Sequence, residues 1–334
     1  SNYYRATRYS VVMCPLDSAD EYKRWAIMDS VTKPILNQMK KWVPDSYEYN
    51  HLMYYASGNG DNDIFQYIDR AYQIDSNRVD GFPDIIIANT IRGNTDKNKA
   101  IIKRWYEKEP PSQGMIAWNY NMIVGLDTNA ILFVDGDNDV YPKEWLQKVK
   151  NIRPDIKVVV VSLMYLDRFR DNLYSELNLP KFTKTMMDCK SIDVYNKELI
   201  MHILKSPNPR PIYFSTAMRQ DFYSFMQDSL YLEGLVYKYS PERYDNVAVI
   251  KRNFDQAYLL DYIKQPFISD ASLEIVNQMN LCYLLPLTQL YKHYKLSGEL
   301  TKEENTAHLM ILIAKTAENK EYLNFIQELT LDKK

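Results

Sequence analysis

The sequence predicts an α/β protein, with a mostly parallel three-layer sheet domain flanked by helical, tetratricopeptide-like regions. Three observations carry this expectation. Apolar, β-branched runs at Ala130–Val134, Ile156–Leu163 and Pro211–Ser215 alternate with helical spacing, and strands separated by helices form right-handed crossovers and pair in parallel. Ahead of them, helical pairs recur at an offset of roughly 33 residues, the period of helix–turn–helix arrays. Beyond Asp245 the spacing is helical to the end. The expected divisions are a repeat-like region over 1–115, the α/β domain over 116–245 and a helical region over 246–334.

Residues 8–14 read as a short strand or extended lead-in. Asp17–Trp42 has helical spacing, with Pro34 expected to kink or divide it. Ser46–Ser57, Asp63–Ile74, Pro83–Arg92 and Asp96–Glu107 follow as two helical pairs. The Gly-containing stretch Ser57–Asp61 lies between helices rather than after a strand, so it reads as a repeat turn and not a phosphate loop. In the middle region the helices are Pro142–Asn151, Leu166–Leu177 and Lys197–Leu204, and Leu235–Tyr239 is a fourth strand. Asn253–Ile263, Ser272–Leu296, Lys302–Ala317 and Glu321–Leu329 complete the helices, with Gly298 placed as a carboxyl-terminal cap.

With 41 basic and 43 acidic residues the chain lacks the basic excess of a nucleic-acid binder. No apolar stretch reaches membrane-spanning length. Cys14, Cys189 and Cys282 are widely spaced, and His51, His202, His293 and His308 form no ligand pattern. The chain opens at Ser1-Asn2 without Met. The expectation drawn from this is a processed start: a removed secretory or lipoprotein signal, with a lipid anchor on a removed residue, or a trimmed end.

The densest chemistry lies where the apolar run Ala130–Val134 breaks into Asp135, Asp137 and Asp139, with Asn138 among them and Pro142 just beyond. Carboxylates at the carboxyl end of a strand are placed where α/β proteins keep their sites. Two readings stand. Asp135, Asp137, Asn138 and Asp139 form a ligand or metal loop with a divalent cation as its candidate ligand, although Gly136 lies inside the triplet rather than after it. Alternatively, Asp137–Asp139 form a turn that caps a helix starting near Pro142, and no cofactor is needed. The structural reading has the greater weight. Tyrosine, at 28 residues, suggests a second feature. Tyr47, Tyr54, Tyr55, Tyr67 and Tyr72 are candidates for an aromatic interaction surface, because a helix buries only one stripe.

Three stretches of the middle region resemble one bacterial family. They are Asn129-Ala-Ile-Leu-Phe-Val-Asp-Gly-Asp-Asn-Asp-Val-Tyr-Pro with Trp145-Leu-Gln-Lys-Val, Arg153-Pro-Asp-Ile-Lys-Val-Val-Val-Val-Ser-Leu-Met, and Arg210-Pro-Ile-Tyr-Phe with Leu232-Glu-Gly-Leu-Val-Tyr. In order and spacing they look like the soluble carboxyl-terminal part of the multi-pass proteins of glycosyltransferase family one hundred and seventeen, relatives of protein O-mannosyltransferases. The likeness runs over about residues 118–241. Gly136, Asp137, Asn138, Asp139, Ser162 and Asp167 are retained. Val140, Lys143, Glu144, Val160, Tyr165 and Leu166 depart from the family pattern, which has Thr, apolar-aromatic, Asn and polar residues at these places. The resemblance implies an envelope-facing soluble module without the membrane part that would perform transfer, and it carries over no activity.

The function expected is therefore that of a non-catalytic accessory or scaffold subunit in a bacterial cell-envelope complex, periplasmic or outer-membrane-associated, with a protein partner. The alternative is an enzyme or sugar- or metal-binding module related to glycan transfer, acting through the Asp137/Asp139 loop.

Overall fold

A computed structural model describes residues 2–13, 21–58, 62–207, 210–265 and 272–331. The chain divides into two compact units, Ser1–Lys108 and Glu109–Lys334.

The first unit is helical. Its opening helix, α1 (Asn2–Val12), replaces the expected strand. Tyr4 and Val11 stand two helical turns apart and are both buried, Tyr4 in a cluster with Leu36 and Leu52. Cys14, the end of the expected strand, lies outside the described residues, as do 17–20 and 59–61. Helix α2 (Glu21–Trp42) continues through Pro34. Pro34 and Ser30, whose carbonyl loses its helical donor, are both exposed, so water can serve that carbonyl.

Four helices follow as the sequence spacing requires: α3 (Tyr47–Ser57), α4 (Phe65–Ile74), α5 (Phe82–Ile91) and α6 (Asn98–Lys108). Ser46 caps α3 by accepting from the Tyr49 N–H, and Gly58 ends it in the left-handed conformation. Each helix packs on the next, burying Leu52, Ile68, Ala71, Ile86 and Ile102. A buried amide pair fixes the last hairpin: Asn89 donates to Asn98, and Asn98 donates to the Ile86 carbonyl.

The second unit is a mixed α/β structure. Helix α7 (Gln113–Val124) leads into β1 (Ile131–Val134). Then come α8 (Asp137–Lys148), β2 (Lys157–Val160), α9 (Asp167–Glu176), α10 (Ile192–Lys205) and β3 (Ile212–Ser215). A hairpin, β4 (Leu230–Leu232) and β5 (Val236–Tyr239), completes a five-stranded sheet in the order β2-β1-β3-β5-β4. Strands β1, β2 and β3 are parallel, with Ile131 opposite both Lys157 and Ile212. The β3–β5 and β4–β5 pairings are antiparallel, so the sheet as a whole is mixed rather than mostly parallel. Strand β4 is too short to announce itself in the sequence. The hairpin turns at Gly234, whose φ of +102° suits only glycine, under the Tyr258 hydroxyl.

Strand β2 is shorter than its apolar run. Its partner β1 has four residues, and the chain leaves the sheet in a 3₁₀ turn over Val161–Tyr165. The expected helix Asn253–Ile263 is also corrected. Helix α11 (Asn246–Arg252), capped by Asp245, precedes it, and Asn253–Ala257 form a wide π turn. Asn253 is buried and donates to the Glu233 carbonyl, which pins this turn to the hairpin. Helices α12 (Asp261–Lys264), α13 (Leu273–Asn280), α14 (Leu284–Ser297), α15 (Leu300–Thr316) and α16 (Lys320–Leu331) follow. Gly298 caps α14 in the left-handed conformation. Among the described residues no helix is long and apolar enough to cross a membrane.

Candidate functional site

Beyond Val134 the chain does not form the expected open loop. Gly136 takes φ +89° and ψ 155°, open to glycine alone, and α8 starts immediately at Asp137. The helix thus begins five residues ahead of Pro142, and Asp137–Asp139 form its first turn rather than a capping loop. Pro142 is accommodated because the Asn138 carbonyl, which it cannot serve, accepts instead from Asn119 Nδ2 at 3.0 Å.

The helical turn separates the four predicted residues. Asp137 and Asn138 are exposed, and Asp139 is 3% exposed. Asp139 does not cap the helix; its carboxylate pairs with Lys143 one turn on. The Lys143 ammonium, fully buried, also donates to Asn119 Oδ1 at 2.7 Å and the Asp139 carbonyl at 2.9 Å, and lies over the Trp118 ring. Burial pushes the Lys143 pKa down, opposed by Asp139. Lys143 neutralises the buried carboxylate.

Asp135 faces elsewhere. It accepts from Arg219 Nε at 3.2 Å, and the same guanidinium lies 3.9 Å from Asp221. A cation therefore already stands between these two carboxylates, supplied by the chain. Among the described residues no group of three or more His, Cys, Asp or Glu side chains is placed to hold a metal ion. Asp221 accepts from Asn196 Nδ2 at 3.1 Å, and Asn196 Oδ1 accepts from the Tyr165 hydroxyl at 2.6 Å. Burial raises the Tyr165 pKa, with Arg219 opposing. Sequence reading missed Arg219, Asp221 and Asn196, because Asn196 lies on α10 and the other two follow β3, far along the chain from Asp135, and none sits in a motif.

The tyrosines divide in the same way. Tyr47 and Tyr54, at 5% and 1% exposure, are core residues and not surface. The Tyr47 ring lies under Arg78 and its hydroxyl donates to Asp80, while Tyr54 packs on Phe65. Tyr55, Tyr67 and Tyr72 are half-buried. Tyr72 lines an open groove of about 580 Å³ on α4, α5 and α6, with Asp69, Gln73, Asn89, Arg92 and Lys97. There Arg92 is fixed by two bonds to Asp69, at 2.7 and 3.0 Å, and one to the Ala88 carbonyl.

Residues 115–184 match the family model described as TMEM260-associated domain 2. Neither the curated proteins nor the solved structures gave a match. The matched stretch runs from α7 to the loop after α9 and so contains β1, Gly136 and the Asp139–Lys143 pair. Two arginines of the sequence motifs have a clear task at the amino end of β1. Arg153 donates to the carbonyls of Ile123, Leu126 and Asp127 and pairs with Asp155, which in turn accepts from the Asn129 N–H. Arg210 donates to the Asn129 and Ala130 carbonyls. These motif residues hold the strand's entry, at the opposite end from the carboxylates.

Proposed function

We propose that the chain is a non-catalytic accessory protein that docks another protein through the helical hairpins of its first unit. The observation that supports this most is the groove on α4, α5 and α6, where a rigidly held Arg92 and the exposed amide of Gln73 offer polar anchors above the apolar Ile85 and Ile101. Stacked hairpins commonly present such surfaces to extended segments of partners. In the second unit the carboxylates that would serve chemistry are neutralised within the chain, Asp139 by Lys143 and Asp135 by Arg219. Full burial of Ile131–Val134 supports the reading of this unit as a sheet covered on both faces in three layers. The resemblance over residues 118–241 supports a bacterial cell-envelope location and a relation to glycan-transfer proteins.

A photo-crosslinking residue at Gln73, compared with one at the exposed Leu296, tests the docking role in native envelope extracts. A discrete adduct from position 73, absent at 296 and lost in Arg92→Ala, is the expected result. No adduct, or the same adducts from both positions, defeats the reading.

A further inference from the structure

A second exposed feature, in the unit that holds the sheet, lies between α9 and α10. Residues 183–194 are exposed throughout except Cys189. They include Met186 at 48% and Met187 at 98% exposure, with Ile192 and Val194 following on the first turn of α10. Single exposed apolar side chains are ordinary, but four within nine residues call for something to cover them. The turn is firmly built. Phe182 ahead of it is buried edge-on to Tyr195 and His202, and His202 Nε2 donates to the Pro180 carbonyl at 2.7 Å. Tyr195 beyond it is buried as well. Between these anchors the Thr185 N–H and hydroxyl donate to Asp188 at 2.6 and 2.8 Å and close a 3₁₀ turn over Met186–Asp188. Two buried aromatics and a capping box thus hold two methionines out in solvent.

Beside the turn is a cavity of about 350 Å³, whose lining includes Lys181, Phe182, Lys184, Glu198, His202 and Lys205. Lys181 and Lys184 pair with Asp171 and Glu198 at 2.9 Å, but their side chains are 70% and 51% exposed, and such pairs open at little cost. Among the described residues Lys190 and Lys205 form no ion pair. Over residues 180–206 five lysines stand against three carboxylates, in a chain whose net charge is −2.

Composition and shape decide between occupants. Protein interfaces favour arginine and are poor in lysine, and this stretch holds five lysines and no arginine. Met187 projects rather than lining a groove, so a protein partner would need a pocket to receive it, whereas a lipid surface takes up a projecting apolar tip directly. The ammonium groups on their flexible stems then stay at headgroup level, where anionic lipids attract each of them.

We propose that this turn and the basic cavity beside it seat the protein on an anionic phospholipid surface, independently of the docking groove, with Met186 and Met187 entering the acyl boundary and Lys184, Lys190 and Lys205 meeting the lipid phosphates.

The test floats the full chain with vesicles of phosphatidylcholine alone and of phosphatidylcholine and phosphatidylglycerol in equal parts. Binding to the mixed vesicles should exceed binding to the neutral ones about tenfold or more, and should weaken as salt is raised. Met186→Ser with Met187→Ser, and separately Lys190→Gln with Lys205→Gln, should each weaken it about fivefold or more. All four side chains are exposed, so the melting temperature should stay unchanged. Peroxide oxidation gives a readout on the unmutated protein: mixed vesicles should slow sulfoxide formation at Met187 about threefold or more and leave Met13, 76% exposed in the first unit, unaffected. No binding to the mixed vesicles, equal binding to the neutral ones, binding indifferent to both double variants, or equal shielding of Met13 and Met187 each overturns the proposal. So does a photo-crosslinker at position 187 that captures a discrete protein and no lipid in native membranes, which would assign the turn to a partner protein.

Discussion

Removing the Asp139 carboxylate should cost far more than a lost helix cap, and the pH dependence of that cost identifies why. A capping residue replaced by Ala costs about 1 kcal/mol. Here Asp139→Ala leaves the fully buried Lys143 ammonium without its counter-charge. Breaking a buried pair from one side costs about 3–5 kcal/mol. The Asn119 Oδ1 and the Asp139 backbone carbonyl still accept from the ammonium, which places the expected loss near the lower figure. There is also a ceiling: Lys143 can enter the fold neutral, and deprotonating a lysine of ordinary pKa at pH 7 costs about 5 kcal/mol. Burial already pushes this lysine down. In the variant, the folded state therefore binds fewer protons than the unfolded one at this site, and stability should rise with pH by up to about 1.4 kcal/mol per unit until the unfolded lysine titrates near pH 10. Denaturant unfolding from pH 6 to 9 measures both quantities. Lys143→Met should be destabilised by a similar amount, and the double variant Asp139→Leu with Lys143→Met should recover most of the loss. A loss of 1 kcal/mol or less in Asp139→Ala, or a double variant no better than the singles, would refute the buried-pair account.

Two further outcomes concern the entry to β1. Arg153→Ala removes the donor to the carbonyls of Ile123, Val124, Leu126 and Asp127 and the partner of Asp155, and should lower stability by about 3 kcal/mol in thermal or urea unfolding; Arg153→Lys should recover only part, because a point charge cannot reproduce the fork. Asp155, held at about 2 chiefly by the Arg153 hydrogen bond, has a folded pKa below its unfolded value. Its contribution is whole above about pH 4 and is lost as pH falls towards 2, so acid unfolding of Asp155→Asn should show a shallower fall in that window.

The sequence determined much of the local structure, because local structure depends on near neighbours. The period of apolar residues placed α3 to α6, the β-branched runs placed β1, β2 and β3, and Gly298 marked a helix end. What it could not determine was anything set by partners far along the chain. Residues 8–14 read as a strand in sequence, yet 8–12 became part of α1, which is buried through Tyr4 and Val11. Tyr47 and Tyr54 carry the same side chain as Tyr72, and only packing decided that the first two are core while the third lines a groove. The aspartates were legible as a cluster, but their fates were not. One helical turn sends Asp139 inward to Lys143, while Asp135 meets Arg219, 84 residues away, because β3 lies beside β1. Charge neutralisation at that distance is a property of strand order, and strand order is fixed by tertiary packing rather than by any local pattern.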